Sequence, residues 1–178
     1  MTEIDRLRYP IGKFVRTTVP LTATDRDALV EEIAQLPASV SALVRGLGER
    51  HLDTPYRPGG WTIRQVVHHV PDSHINAYVR MKLALTEEAP VVRLYLEGRW
   101  AELPEAKSGP VAMSLELLDA LHRRWVALLR ALPASEFART YVHPELGPVP
   151  LDVGLGLYAW HGAHHLAHIR AALDRAQT

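Results

Sequence analysis

Seven of the ten histidines in this chain lie in two short segments, at residues 68–74 and 161–168. Neutral imidazole is the commonest protein ligand for transition metals, and it also serves as a general acid or base. A concentration of imidazoles in two short segments therefore points first to a metal site. The histidines in question are His68, His69, His74, His161, His164, His165 and His168.

The second segment places a pair of histidines on one face of a predicted helix. An α-helix turns by about 100° per residue, so residues four positions apart lie one turn apart on the same face. His161 and His165 have this spacing and fall inside the apolar arc of their helix, which would let two imidazoles reach one cation. His164 and His168 have the same spacing but are less centred on the arc. A solvated histidine patch at the helix end is the alternative interpretation for these two.

The first segment leaves more than one histidine as a third ligand. By the same helical periodicity, His68 points to solvent, His74 points to the buried side, and His69 lies at the border of that side. Pro71 makes the periodicity approximate, so it does not decide between His69 and His74. Three histidines with open coordination positions are typical of a catalytic zinc site. The structural alternative is core histidines that each bond to a backbone carbonyl.

Asp72 is the carboxylate nearest to these histidines in the sequence. It could orient a ligand imidazole or accept a proton, and a salt bridge to an arginine is the structural alternative. The chain has no His-Glu-x-x-His motif, which argues against a zincin protease. It also has no cysteine, which excludes thiolate zinc sites, iron–sulfur clusters and a cysteine nucleophile.

Composition restricts the class of protein further. The chain has 178 residues, which predicts a single domain over residues 1–178. Lys and Arg together number 20, as do Asp and Glu, so no excess of positive charge favours nucleic acid as a partner. No apolar run reaches the ~20 residues of a membrane span, and the N-terminal residues lack an apolar signal core. We therefore expect a cytoplasmic protein that does not bind a membrane.

Four long helical patterns must position the histidines, and they predict an all-α helix bundle. Bundles often hold metal sites between facing helices. A small hairpin is expected over residues 139–151, before the last helix, and a non-helical connection over residues 89–109. The four patterns cover approximately residues 24–47, 62–87, 111–132 and 152–175.

Particular residues mark the ends and interruptions of these helices. Thr24 and Asp152 are expected to cap the first and the last helix, and Thr62 with Gln65 has the form of a capping box. Proline removes a backbone donor, so Pro37 predicts a kink or a break in the first helix and Pro71 predicts a kink in the second.

Longer motifs in the chain resemble one family. Residues 53–76 (DTPYRPGGWTIRQVVHHVPDSHIN) and 156–169 (GLYAWHGAHHLAHI) are similar to the signature of the YfiT-type metal-dependent hydrolases, a branch of the DinB superfamily. Residues 9–12 and 80–88 are similar to it as well, so the resemblance covers nearly the whole chain. One departure is Pro71, where relatives tend to have alanine.

The resemblance implies a DinB-like four-helix bundle, usually a homodimer. It implies one divalent metal ion per chain, zinc or nickel, held by His69, His161 and His165. For the first segment, it is the resemblance that selects His69 over His74. The roles of His74 and of the other histidines in the second segment stay open.

The same resemblance implies metal-dependent hydrolysis of a small molecule. We expect a metal-activated water held by the three histidines to be the nucleophile, with Asp72 as base or orienting group. Some relatives in the superfamily resemble thiol S-transferases that use bacillithiol or mycothiol, so transfer of such a thiol to an electrophile is the alternative. A third hypothesis is a non-catalytic module that binds a small ligand and is stabilised by the metal. The substrate itself cannot be read from the sequence.

Overall fold

A computed structural model of the chain describes residues 3–176, so the first two and last two residues of the predicted domain lie outside the described residues. Within this range the chain forms eight α-helices, one short 3-10 helix and two strands. In chain order these are α1 Glu3–Arg8, α2 Ala23–Val44, α3 Glu49–Leu52, α4 Ile63–Thr86, α5 Glu97–Trp100, α6 Pro104–Ser108, α7 Val111–Ala131, the 3-10 helix Ala134–Ala138, β1 Thr140–His143, β2 Gly147–Pro150 and α8 Leu151–Ala176.

The long helices α2, α4, α7 and α8 form the predicted bundle. α2 packs against α7 and α8, and α4 packs against the same two helices, so α2 and α4 occupy opposite corners. β1 and β2 pair antiparallel as a hairpin directly before α8, which confirms the predicted hairpin. None of the helices within the described residues combines the length and the apolar character needed to cross a membrane.

Side-chain caps mark the starts of α2 and α4. Thr62 accepts a hydrogen bond from the backbone N–H of Gln65, and the Gln65 side chain accepts one from the backbone N–H of Thr62, which confirms the predicted capping box. At α2, however, the cap is Thr22 and the prediction of Thr24 is wrong. Thr22 and Asp25 form the same reciprocal pair of hydrogen bonds, and this satisfies two backbone donors at once.

Helices α2 and α4 continue through their internal prolines, so the chain is not broken at Pro37, and a kink at Pro37 or Pro71 stays a prediction. Both prolines are buried against the rest of the bundle. Tertiary packing supplies most helical stability in proteins, and here it outweighs the loss of one backbone hydrogen bond in each helix.

Two other expectations are wrong. Asp152 does not cap α8, because the helix begins one residue earlier and the Asp152 carboxylate accepts hydrogen bonds from Arg26 Nε and Nη2 and from the backbone N–H of Leu21. The connection over residues 89–109 is not free of helix, since it contains α5 and α6. Pro104 begins α6, at a position where its missing N–H costs nothing.

The core consists of two apolar clusters along the bundle axis. One contains Trp125 and Met81, and the other contains Val40 and Val66. Where the two clusters meet, α4, α7 and α8 carry histidines that are buried, apart from His161, which is partly exposed. We call this group the histidine layer: His69, His74, His122, His161, His165 and His168.

Candidate metal centre

Three members of the histidine layer converge. His69, His161 and His165 each offer one ring nitrogen, and these three atoms all lie within 4.8 Å of one another. Nε2 of His69 is 3.3 Å from Nε2 of His161. Two nitrogens bound to zinc at about 2.05 Å with a tetrahedral angle lie about 3.3 Å apart, so this pair has the separation that a zinc ion requires. The donor set and its spacing fit a divalent metal.

Packing of α4 against α8 creates this convergence. The rings of His161 and His165 lie one turn apart on α8, with centroids 4.5 Å apart, and the ring of His69 on α4 lies 4.8 Å from that of His165. Gly162 lets α8 approach α2 at the same level. A Cβ atom at position 162 would lie 2.6 Å from Cδ2 of Leu36, so any side chain there would force the Leu36 side chain to move.

The second nitrogens of the two α8 histidines are engaged by other histidines. His161 Nδ1 is 3.1 Å from His74 Nε2, and His74 Nδ1 is 2.9 Å from His122 Nε2. His165 Nδ1 is 3.4 Å from His168 Nδ1. Each of the two α8 histidines is thus held through its Nδ1 atom by a neighbouring histidine, and its Nε2 atom is left for the metal.

Burial keeps these imidazoles neutral. It lowers the pKa of His69 to about 4, with a smaller contribution from His164. It lowers the pKa of His161 and of His165 well below the usual value, and repulsion between neighbouring rings adds to the effect. Neutral imidazole is the form that binds a metal, so the site is ready to bind a cation without first losing protons.

Comparison with known proteins agrees with this geometry. Residues 32–169 match the model of the DinB superfamily. This chain belongs to the DinB superfamily.

Relatives of this DinB chain carry a common description. It is 52% identical to a protein of Bacillus cereus strain B4264 over 95% of this chain and 96% of the relative, and 50% identical over the same shares to one of Bacillus mycoides strain KBAB4. Both are named "Putative metal-dependent hydrolase".

Solved structures show the same DinB architecture. YfiT of Bacillus subtilis, described as a probable metal-dependent hydrolase with an unusual four-helix bundle topology, has 43% identity and a TM-score of 0.93, with 97% of this chain and 98% of YfiT covered. A second four-helix bundle protein has 23% identity and a TM-score of 0.57, over 82% of this chain and 98% of its own, and is similar in fold alone.

The two other histidines of the first segment in this DinB bundle are both buried, as expected for one of them alone. His68 was expected to face solvent, but it is buried and lies 2.7 Å from Ser114 Oγ and 3.2 Å from the Gly109 carbonyl oxygen. The solvent-side expectation fails because α7 and the end of α6 cover this side chain, through Ser114 and Gly109. The prediction that His74 points inward is confirmed, since this ring is 0% exposed.

The interpretation of His164 and His168 as a solvated patch is wrong. The ring of His164 stacks on Trp160 with centroids 4.6 Å apart, and that of His168 stacks on Tyr56 at 3.9 Å. Segments that are distant in sequence cover this end of α8, since Tyr56 lies before α4 and the Arg8 carbonyl oxygen lies 3.2 Å from Nε2 of His168. A helical wheel carries no information about such coverage.

Asp72 lies one turn after His69 on α4. Burial raises the pKa of Asp72 to about 6, and the negative charge of Glu105 adds to the increase. Among the described residues its carboxylate forms neither a salt bridge to an arginine nor a hydrogen bond to a histidine. The raised pKa is thus the property of Asp72 that bears on its predicted role as a base, and the role itself stays a prediction.

Sequence reasoning missed several neighbours of the centre. Trp61 lies against the ring of His69, with centroids 4.7 Å apart, and forms one wall. Tyr158 lies 5.8 Å from the ring of His161 and accepts a hydrogen bond from Arg80. The sequence carried a signal for Tyr158, which lies three residues before His161 on the same helix. Trp61 ends a segment that could form a pocket rim or cover the core, but nothing in the sequence indicated its contact with His69.

Proposed function

We propose that this chain is a metal-dependent hydrolase of a small molecule, in which His69, His161 and His165 hold one divalent metal ion. The observation that carries the proposal is the convergence of three neutral imidazole nitrogens within 4.8 Å. The names of the Bacillus relatives and of YfiT support it. An all-imidazole site accepts both zinc and nickel. Zinc is our first choice of metal and nickel the second.

The proposed chemistry follows from the environment of each group. A divalent metal held by three imidazoles supplies a Lewis acid that lowers the pKa of a bound water to about 7 and polarises a carbonyl group. Asp72 has a pKa of about 6, so its carboxylate is ionised at neutral pH and accepts a proton during the reaction. Trp61 shields one side of His69 from water, which strengthens electrostatic interactions within the centre.

Elemental analysis tests the metal site directly. The chain is purified without a nickel column, beside the double variant His161→Ala/His165→Ala. We expect about one zinc or nickel per chain in the wild type and none in the double variant. His164→Ala is the matched control, because it removes a buried imidazole from the same helix and should leave the metal in place. Retention of full metal content by the double variant would refute the site.

Activity measurements test the reaction class. The metal-loaded chain is incubated with a panel of ester and amide substrates, first without any thiol and then with bacillithiol. Hydrolysis predicts turnover without thiol that a chelator abolishes. Turnover that appears only with bacillithiol, and saturates in it, would replace the proposal with thiol transfer. Tight ligand binding without turnover in either condition would indicate a binding module.

A further inference from the structure

The described hydrogen bonds of the histidine layer form two chains, and each ends at a backbone carbonyl oxygen. The first runs from His161 through His74 to His122, whose Nδ1 is 2.6 Å from the carbonyl oxygen of Ile33 on α2. The second runs from His165 to His168, whose Nε2 is 3.2 Å from the carbonyl oxygen of Arg8. Each chain begins at a proposed metal ligand on α8.

A carbonyl oxygen only accepts hydrogen bonds, so it determines which nitrogen of the ring beside it carries the proton. A neutral imidazole has one N–H and one lone pair. In the first chain, His122 must donate from Nδ1 to Ile33, which leaves its Nε2 as an acceptor. His74 must then donate from Nδ1 to His122, which leaves its own Nε2 as an acceptor.

The last link of the first chain concerns the ligand. Nε2 of His74 accepts, so His161 must donate from Nδ1, and the lone pair of His161 is on Nε2. That is the nitrogen that faces His69 at 3.3 Å. The protonation pattern of His161 is therefore determined by a carbonyl oxygen on α2, two rings away.

The second chain gives the same result with one ring fewer. His168 donates from Nε2 to Arg8, so its Nδ1 accepts. His165 must then donate from Nδ1, which places its lone pair on Nε2. Both α8 histidines thus present Nε2 as a free electron pair for the same reason.

We propose that His74 and His122 in one chain, and His168 in the other, are positioning residues that set the tautomers of His161 and His165 for metal binding. This inference rests on the metal site proposed above. It assigns a role to three buried histidines that are not themselves ligands. Truncating a partner of a ligating histidine typically weakens metal binding about 10- to 100-fold, because the ring loses its preferred tautomer and orientation.

His69 differs from His161 and His165 in the tautomer that this scheme assigns to it. Because His161 presents a lone pair from Nε2, the contact between the two Nε2 atoms requires His69 to donate from its Nε2 in the metal-free protein. Among the described hydrogen bonds none engages Nδ1 of His69. His69 is therefore the ligand that must change tautomer when a metal binds, whereas the two α8 histidines are already in the binding form.

Nitrogen-15 NMR of the histidine side chains tests the scheme on the metal-free protein, since two-bond couplings distinguish Nδ1–H from Nε2–H. We expect Nδ1–H at His74, His122, His161 and His165, and Nε2–H at His168 and His69. Addition of zinc should change the tautomer of His69 alone. An Nε2–H tautomer at His161 or His165 would overturn the inference. Because this readout needs no metal, a failure of the proposed metal site would be recognised separately, by elemental analysis.

Paired variants test the consequence for the metal. His122→Gln keeps an acceptor for the N–H of His74, whereas His122→Leu removes it. We expect the zinc dissociation constant, measured by competition with a chelator, to stay within about 3-fold for the glutamine variant and to rise about 10- to 100-fold for the leucine variant. In the leucine variant, the Nε2–H tautomer of His161 should also appear.

A second pair of variants tests the hydrogen-bond chain from His165 to His168. It keeps the inference testable if His122→Leu does not fold. His168→Asn keeps an acceptor near the position of Nδ1, and His168→Phe keeps a ring that stacks on Tyr56 but offers no acceptor. Weaker zinc binding by the phenylalanine variant than by the asparagine variant is expected. Equal affinities within each pair of folded variants, checked by thermal unfolding, would overturn the inference.

Discussion

Nε2 of His69 and Nε2 of His161 lie 3.3 Å apart, although 92 positions separate the two residues in the sequence. The contact exists because α4 and α8 pack side by side along the bundle. Without a cation, one of these nitrogens must donate a hydrogen bond to the other; with a cation, both can donate electron pairs to it. The same distance serves both states, which is the property expected of a preformed metal site.

Adjacent histidines on α4 provide a matched test of the ligand set. His69→Ala should reduce the zinc content from about one per chain to near zero, because it removes one of three ligands. His68→Ala should leave the zinc content unchanged, because His68 contacts Ser114 and the Gly109 carbonyl group. Elemental analysis of both variants checks this. Equal zinc content in the two variants would show that His69 is not a ligand.

Asp72 should determine how kcat/KM decreases at acidic pH. Proton acceptance requires the carboxylate, so kcat/KM should rise with pH through an apparent pKa of about 6. Asp72→Asn should remove this step and lower kcat/KM about 10²- to 10⁴-fold. Glu105→Gln should move the step to lower pH, because the charge of Glu105 raises the pKa of Asp72. A pH profile that is identical in all three proteins would rule out Asp72 as the proton acceptor.

The metal-free protein should lose stability in mild acid. The pKa values of His69, His164 and His168 are lowered to about 4 from 6.5, so between these pH values the unfolded chain binds more protons than the folded one. The free energy of unfolding should therefore be highest above pH 6.5 and fall towards pH 4, by up to about 1.4 kcal/mol per pH unit for each histidine. Urea unfolding at pH 7.5, 6.0 and 5.0, with a chelator present, measures the change.

His164→Phe is the matched variant for that measurement. It keeps a ring to stack on Trp160 and removes one group that must stay neutral in the folded state. It should therefore make the dependence of unfolding free energy on pH shallower than in the wild type. A wild-type stability that does not change between pH 7.5 and 5.0 would contradict the assigned pKa shifts.

The ion pair between Arg26 and Asp152 should contribute to stability. The two side chains are only 14% and 7% exposed, and Asp152 also accepts a hydrogen bond from the backbone of Leu21. Arg26→Ala leaves a nearly buried carboxylate without its counter-charge, and we expect a loss of about 3 kcal/mol. Arg123→Ala breaks an exposed pair with Asp119 and should cost less than about 1 kcal/mol. Chemical denaturation of both variants measures these losses. A loss for Arg123→Ala as large as that for Arg26→Ala would contradict the prediction.

Periodicity along the chain was sufficient for much of the fold. Helical spacing located the four long helices within a few residues, and the reciprocal side chains of Thr62 and Gln65 located the start of α4. It also placed His161 and His165 on one face of α8. These features depend on residues within about one or two turns of one another, and such local relationships are visible in a sequence.

Features that depend on distant segments were missed or misjudged. His68 was assigned to solvent because the residues that cover it, Ser114 on α7 and Gly109 at the end of α6, could not be anticipated from α4 alone. Asp152 was taken for a helix cap, although its partner Arg26 lies on another helix. His122 attracted no attention, because it lies in neither histidine-rich segment and gains its role only through Ile33 and His74.

The difference between the features that the sequence predicted and those that it missed has one physical origin. Backbone geometry repeats every few residues, so local composition was enough to establish helices, one shared face for His161 and His165, and an imidazole-rich chain without thiols. Three properties depend on the packing of α4 against α8 and on carbonyl groups of α1 and α2: which nitrogen of each ring donates, which ring is buried, and how close His69 comes to His161. Those relationships arise only when helices far apart in sequence share one interior, because burial is what obliges each polar atom to find a partner.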